Sequence, residues 1–287
     1  MREFLNADTL FNTIAMLRPE RDGAFLVVEG SDDEYTLERH VDSSVTIFSG
    51  LGGKSELVDA AVKVGQKDIA LVYFVVDSDY DRLVDPPVMH APQVVASDTH
   101  DLVMDLIFVE RSAIHNTIRA HVRGNLQRRS AFVPEKIVAD ALGLAFPVGL
   151  LRLLSVGNDW GLKLRDFPFG KLKSSPPDPA EVVELALSKS PPIAEGVDVP
   201  AALAGALDKY KDRDWSVVGD HDFFAALAKV LKDSELANVK GEALATTFLA
   251  AVRCQSIGRT GWFRELSDRS AVDAGASCFA CPCANAA

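Results

Sequence analysis

Carboxylates stand where the apolar runs of this chain stop. Glu29 follows Ala24-Phe25-Leu26-Val27-Val28, and Asp77 and Asp79 follow the run Ile69 to Val76. Asp98 and Asp101 follow the shorter run Val94-Val95-Ala96. Crowded carboxylates repel one another unless a cation neutralises them, and oxygen ligands of this kind select Mg2+ or Mn2+ over zinc. Such an ion keeps waters that a phosphate can displace or that can be activated for attack. Alternate residues of an extended segment point the same way, so Asp77 and Asp79 are expected to face one ion together while Ser78 faces away. Asp81 is a further candidate ligand. The competing reading is that acids at such places are helix caps and turn residues, as Asp32 and Asp33 are expected to be. Glu caps poorly, and Glu29 between an apolar run and Gly30 reads instead as a carboxylate aimed across a sheet end.

Two further side chains are candidates beside these acids. Lys54, in Gly52-Gly53-Lys54-Ser55, is expected at a helix N-terminus, where anions are favoured, and can reach a substrate phosphate. His100 can act as general acid or base, or can cap the next helix. His40, His90, His115 and His121 are given no role. The Gly53-Lys54-Ser55 triplet is not a P-loop, because that motif needs a glycine where Phe48 stands. Asp77-Ser78-Asp79 also differs from the haloacid-dehalogenase pattern, since Asp81 takes the later Thr or Val place and the strand is the third.

The elements that must position these residues alternate. Apolar runs at Ala24–Val28, Val45–Phe48, Ile69–Val76 and Val94–Ala96 read as strands buried on both faces. Between them, helices are expected from Ser31 or Asp32 to Val41 and from Glu56 to Val64, and a third begins near Leu102. Strand and helix in alternation predict a parallel α/β sheet, whose ligands bind beyond the carboxyl ends of the strands. After Ser112 helical periodicity dominates, as in Pro134 to Leu144 and Phe223 to Leu231. The expected domains are therefore 1–111, α/β with an N-terminal helix, and 112–270, mostly helical, followed by a disordered tail over 271–287.

Hydrophobic residues form 48% and charged residues 25% of the 287-residue chain, the balance of an ordinary globular protein. Its net charge of -11 argues against a protein that coats nucleic acid, though not against a nuclease with a local basic surface. Arg119, His121, Arg123, Arg128 and Arg129 are such a cluster, or else a solvated helix face. No uninterrupted apolar run is long enough for a membrane span, and a cytoplasmic location with no membrane partner is expected. Of the four cysteines, Cys278, Cys281 and Cys283 crowd the C-terminus, and Cys254 alone is left to complete a zinc set.

Val27-Val28-Glu29-Gly30-Ser31-Asp32-Asp33 together with Val75-Val76-Asp77-Ser78-Asp79-Tyr80-Asp81 resembles the TOPRIM signature, a lone glutamate after strand one and DxD after strand three. That fold is shared by topoisomerases, bacterial primases and OLD-type nucleases. The chain is similar in particular to a bacterial group of formerly unknown function that includes the TOPRIM effector of PARIS anti-phage systems. Gly52-Gly53-Lys54-Ser55, Asp98-Thr99-His100-Asp101-Leu102, Gly149-Leu150-Leu151-Arg152-Leu153-Leu154-Ser155 and His221-Asp222 extend the resemblance over residues 24 to 230. It implies a TOPRIM-like fold, Mg2+ (or Mn2+) on Glu29, Asp77, Asp79 and Asp81, and cleavage of phosphodiester bonds in RNA or DNA. An ATPase partner is implied as well, and a homodimer is left open. The alternative is a catalytically degenerate TOPRIM module that serves as a binding or assembly subunit. Two departures bear on this. Val103 stands where the group continues with glutamate, which Asp105, four residues from Asp101 on one helix face, is expected to offset. Asp220 separates Gly219 from His221-Asp222, where the group tends to have glycine directly before His-Asp.

Overall fold

The computed structural model describes residues 6–50, 52–84, 86–122, 133–173, 176–194, 196–212, 215–275 and 277–279. The chain divides into two compact units, Met1–Ser78 with Val88–Glu110 and Val252–Ala287, and Asp79–Pro87 with Arg111–Ala251. The segment from 252 onward thus returns to the first unit, which the linear division expected from the sequence does not provide for.

The first unit is built on four parallel strands, β1 (Phe25–Val28), β2 (Thr46–Ser49), β3 (Val72–Val76) and β4 (Val94–Ala96), in the order β2-β1-β3-β4. Register pairs Phe25 with Val72 and Val28 with Val75, and Val76 with Ala96 on the other side. β1 and β3 are buried at every position because they lie in the middle of the sheet with both faces covered. On one face Phe25, Val27, Phe74 and Val76 pack with Ile14 of helix α1 (Ala7–Leu17) and with Leu57, Ala60, Ala61 and Val64 of α3 (Lys54–Gln66). Those α3 positions repeat at three- and four-residue spacing, the pattern of a helix with one buried side. α2 (Ser31–Glu38) leaves β1 through Gly30. Gly30 rather than Ser31 or Asp32 is the N-cap, and the Asp33 carboxylate accepts a hydrogen bond from the Gly30 amide at 3.1 Å.

Helix α4 (Leu102–Val109) follows β4 and is apolar on nearly all sides, with Met104 and Ile107 fully buried. Two C-terminal helices complete this unit, α11 (Cys254–Ile257) and α12 (Gly261–Ala274). α12 occupies part of the segment expected to be a disordered tail. The Tyr73 hydroxyl donates to Asp273 at 2.7 Å, and Phe279, with no exposed surface, meets the Tyr73 ring edge to face at 5.5 Å. An aromatic side chain that buries itself on a sheet residue contributes what a polar tail lacks.

The second unit is helical: α5 (Arg111–Val122), α6 (Pro134–Gly157), α7 (Pro179–Leu187), α8 (Val199–Lys209), α9 (Asp220–Asp233) and α10 (Gly241–Ala251). α6 is its axis, and Gly149 lets it approach Val217, whose carbonyl oxygen would lie 2.2 Å from an added Cβ. By length and composition α6 would pass for a membrane span, with mean hydropathy 1.9 over an 18-residue window, but 72% of that window is buried inside the protein. Polar residues such as Asp140 interrupt it, which is why a search for an uninterrupted apolar run passes over it.

Candidate active site

The strand order 2-1-3-4 reverses direction between β1 and β3, because β2 lies to one side of β1 and the later strands to the other. Connections diverge at such a switch point and leave a crevice beyond the carboxyl ends of the two strands. Glu29 is the first residue after β1 and Asp77 the first after β3. The two sequence-predicted carboxylates therefore stand at the crevice. Glu29 Oε1 accepts a hydrogen bond from the Asp77 backbone amide at 2.8 Å, and Asp77 Oδ1 accepts from the Leu102 amide at 3.1 Å. Both side chains are half-buried.

Lys54 joins them. It opens α3 directly after Gly53, whose φ of 85° is one that only glycine adopts without strain, and its ammonium donates to the Ser78 carbonyl at 3.1 Å. Ser78 is buried, and it turns towards β4. Its amide donates to Ser97 Oγ at 2.8 Å and its hydroxyl to the Ser97 carbonyl at 2.5 Å. Ser78 is thus held by the β4–α4 loop, the same loop whose Leu102 amide holds Asp77.

Alternation does not reach Asp79. β3 stops at Val76, and Asp79 takes a φ of 47°, so the two-residue period that aligned it with Asp77 does not extend to it. Asp79 is exposed, Asp81 is half-buried, and both belong to the segment 79–87 of the second unit. Among the described residues no group of three or more His, Cys, Asp or Glu side chains is arranged to hold a metal.

The acids after β4 are structural. Asp101 is the N-cap of α4 and accepts from the Met104 amide at 2.7 Å. Asp98 accepts from the Gly261 and Trp262 amides at 2.5 and 3.0 Å. Asp105, 1% exposed, accepts from the amides of Asp98 and Thr99, both at 2.7 Å, and from the Thr99 hydroxyl at 2.5 Å. Its carboxylate is turned into its own loop and does not offset Val103, which is buried on α4. Burial, the largest influence, pushes the Asp105 carboxyl up to about 6 against the opposing pull of its donors. A single acid inside the apolar stretch Leu102-Val103-Met104-Asp105-Leu106-Ile107 was the sequence signal for a buried structural carboxylate.

His100 is half-buried in the β4–α4 loop, one residue before the cap, so it does not itself cap α4. His221 lies in the first turn of α9 with its side chain 94% exposed. Its neighbour Asp222 is paired with Arg152, through Nε at 2.7 Å and Nη2 at 2.9 Å. Of the basic cluster, His121 meets Thr247 at 3.0 Å and Arg119 meets Asn116 at 3.4 Å, while Arg123, Arg128 and Arg129 lie outside the described residues. Cys254 is disulfide-bonded, which removes it from a zinc set, and Cys278 is a free thiol. Cys281 and Cys283 lie outside the described residues. An apolar cavity of about 280 Å³ in the second unit, lined by Phe146, Pro147, Pro177 and Leu207, carries no carboxylate.

No family profile matches the chain, and no curated protein matches it.

Proposed function

We propose that this chain is a TOPRIM-like, Mg2+-dependent nuclease that cleaves phosphodiester bonds in RNA or DNA and acts as an anti-phage defence effector. One observation carries the chemical part of the reading: Glu29 and Asp77 leave adjacent parallel strands at the switch point of the sheet, with the Lys54 ammonium on the following Ser78 carbonyl. The defence role and an ATPase partner rest on the sequence resemblance alone. The donor set suits magnesium, which takes one or two carboxylates and completes its shell with water and phosphate oxygens. Glu29 and Asp77 would hold the ion. Bound there, the metal supplies a polarised phosphate and a water acidic enough to attack at neutral pH.

The protein's own contributions are positional. The Asp77 amide fixes one oxygen of Glu29, and the Leu102 amide fixes one oxygen of Asp77, so both carboxylates keep their place before substrate arrives. Lys54 adds a cation beside them at a helix N-terminus, which favours a phosphate over a neutral group. Glu29 would double as proton acceptor or donor for the reaction. The test is Mg2+- or Mn2+-dependent cleavage of RNA and DNA by the pure protein, compared with Glu29→Ala and Asp77→Ala. Each variant is expected to lose about a hundredfold or more of the activity. Equal activity in all three proteins would remove these residues from the chemistry.

Val103 and the inward-turned Asp105 favour a second reading, a degenerate module that binds or assembles without cutting. Calorimetric titration with Mg2+ separates the two, since a degenerate site takes up little or no ion.

A further inference from the structure

The loop that joins β4 to α4 holds the candidate site on one side and the C-terminal helix on the other. Towards the site, Ser97 holds Ser78 through two hydrogen bonds of 2.8 and 2.5 Å, and the Leu102 amide holds Asp77 at 3.1 Å. Towards α12, Asp98 accepts from the first two amides of the helix. Thr260, the N-cap of α12, makes no side-chain capping bond, so Asp98 supplies from a distant part of the chain the acceptor that the local sequence does not. Gly261 permits this approach: an added Cβ would stand 2.5 Å from Asp98 Oδ1. Between the two sides lies Asp105, whose carboxylate ties the Asp98 and Thr99 amides and so fixes the path of the loop.

We propose that Asp98 and Asp105 are positioning residues for the Glu29–Asp77 pair, and that docking of the α12 N-terminus on Asp98 makes the geometry of that pair conditional on the C-terminal helix. The proposal rests on the reading of Glu29 and Asp77 as the reactive centre. Its physical basis is charge. With α12 in place, the Asp98 carboxylate faces two amides and the positive end of a helix dipole. Without α12, a carboxylate would remain beside buried Asp105, and like charges would drive the loop outward. Ser97 and Leu102 belong to that loop, so Ser78 and Asp77 would move with it.

The experiment uses the full-length chain and the variants Asp98→Ala, Asp98→Asn and Gly261→Ala, with Glu29→Ala beside them. Amide hydrogen exchange at Asp77, Ser78 and Leu102 is followed together with Mn2+ affinity and with kcat and KM for cleavage. Asp98→Ala and Gly261→Ala, which break the same contact from opposite sides, are expected to speed exchange at those three amides by about tenfold. Mn2+ binding weakens in parallel, and kcat falls while KM holds. Asp98→Asn keeps an acceptor for the helix amides and restores part of each effect. Faster exchange confined to the first turn of α12, with Ser78 and Leu102 unchanged, overturns the proposal. If the unaltered protein neither binds Mn2+ nor cleaves nucleic acid, the functional reading falls instead, and the exchange data still decide the positioning claim.

Discussion

Titrating Asp105 should change folding stability in the direction opposite to that of an ordinary paired carboxylate. Its side chain is 1% exposed, and burial outweighs the hydrogen bonds from Thr99 and Asp98, so its carboxyl rises from 3.8 to about 6. A group with a raised folded-state value binds its proton more tightly when folded than when unfolded. Between about pH 4 and pH 6 the folded state therefore carries more protons, and stability falls as pH rises through that window. About 1.4 kcal/mol accompanies each unit, so a rise of about two units corresponds to about 3 kcal/mol across the window. The assay is urea unfolding of the unaltered protein and of Asp105→Asn at a series of pH values, with the difference taken at each so that other carboxylates cancel. That difference should shift by about 3 kcal/mol against the unaltered protein between pH 3 and pH 7. A flat difference refutes the reasoning. A difference that moves the other way would mean that the three donors outweigh desolvation and hold Asp105 ionised.

Three further outcomes follow from the packing. Arg152→Ala leaves Asp222, 7% exposed, without its two-bond partner and should cost about 3 to 5 kcal/mol in urea unfolding, with Arg152→Lys recovering only part because an ammonium lacks the planar fork. Phe279→Ala empties a fully buried position on Tyr73 and should cost about 3 to 5 kcal/mol, read as a lower melting temperature; no change would separate the segment after α12 from the folded unit. Gly149→Ala places a methyl group against the Val217 carbonyl and should cost about 1 to 3 kcal/mol by the same measurement.

The sequence by itself determined the strands, their parallel pairing and the two carboxylates that the fold brings together. Buried parallel strands must be apolar throughout, so Phe25–Val28 and Val72–Val76 announce themselves, and Glu29 and Asp77 are conspicuous as the first polar residues after them. Element ends moved by up to three residues, as at β3, where the apolar run Ile69 to Val76 contributes a strand only from Val72. Leu71 adopts a φ of 57° before it, and apolar character alone does not report a backbone angle.

Tertiary structure alone decided which backbone amides each acid accepts from. Asp98 and Asp101 look like Glu29 and Asp77 in sequence, since each lies at or near the end of an apolar run, while Asp105 stands inside one. All of these acids accept from backbone amides, Asp98 from α12, Asp101 from α4, Asp105 from its own loop, Glu29 from Asp77 and Asp77 from Leu102, and an amide donor leaves no mark on the sequence that carries it. Asp79 was misaligned for a related reason, because alternation holds only while the chain stays extended and its φ of 47° lies beyond the strand. α12 lies within the first unit, although the sequence places residues up to 270 in the helical domain and those from 271 in a disordered tail. Its N-terminus is capped by Asp98, a residue from the other end of the same unit, so no local pattern announced where the helix begins.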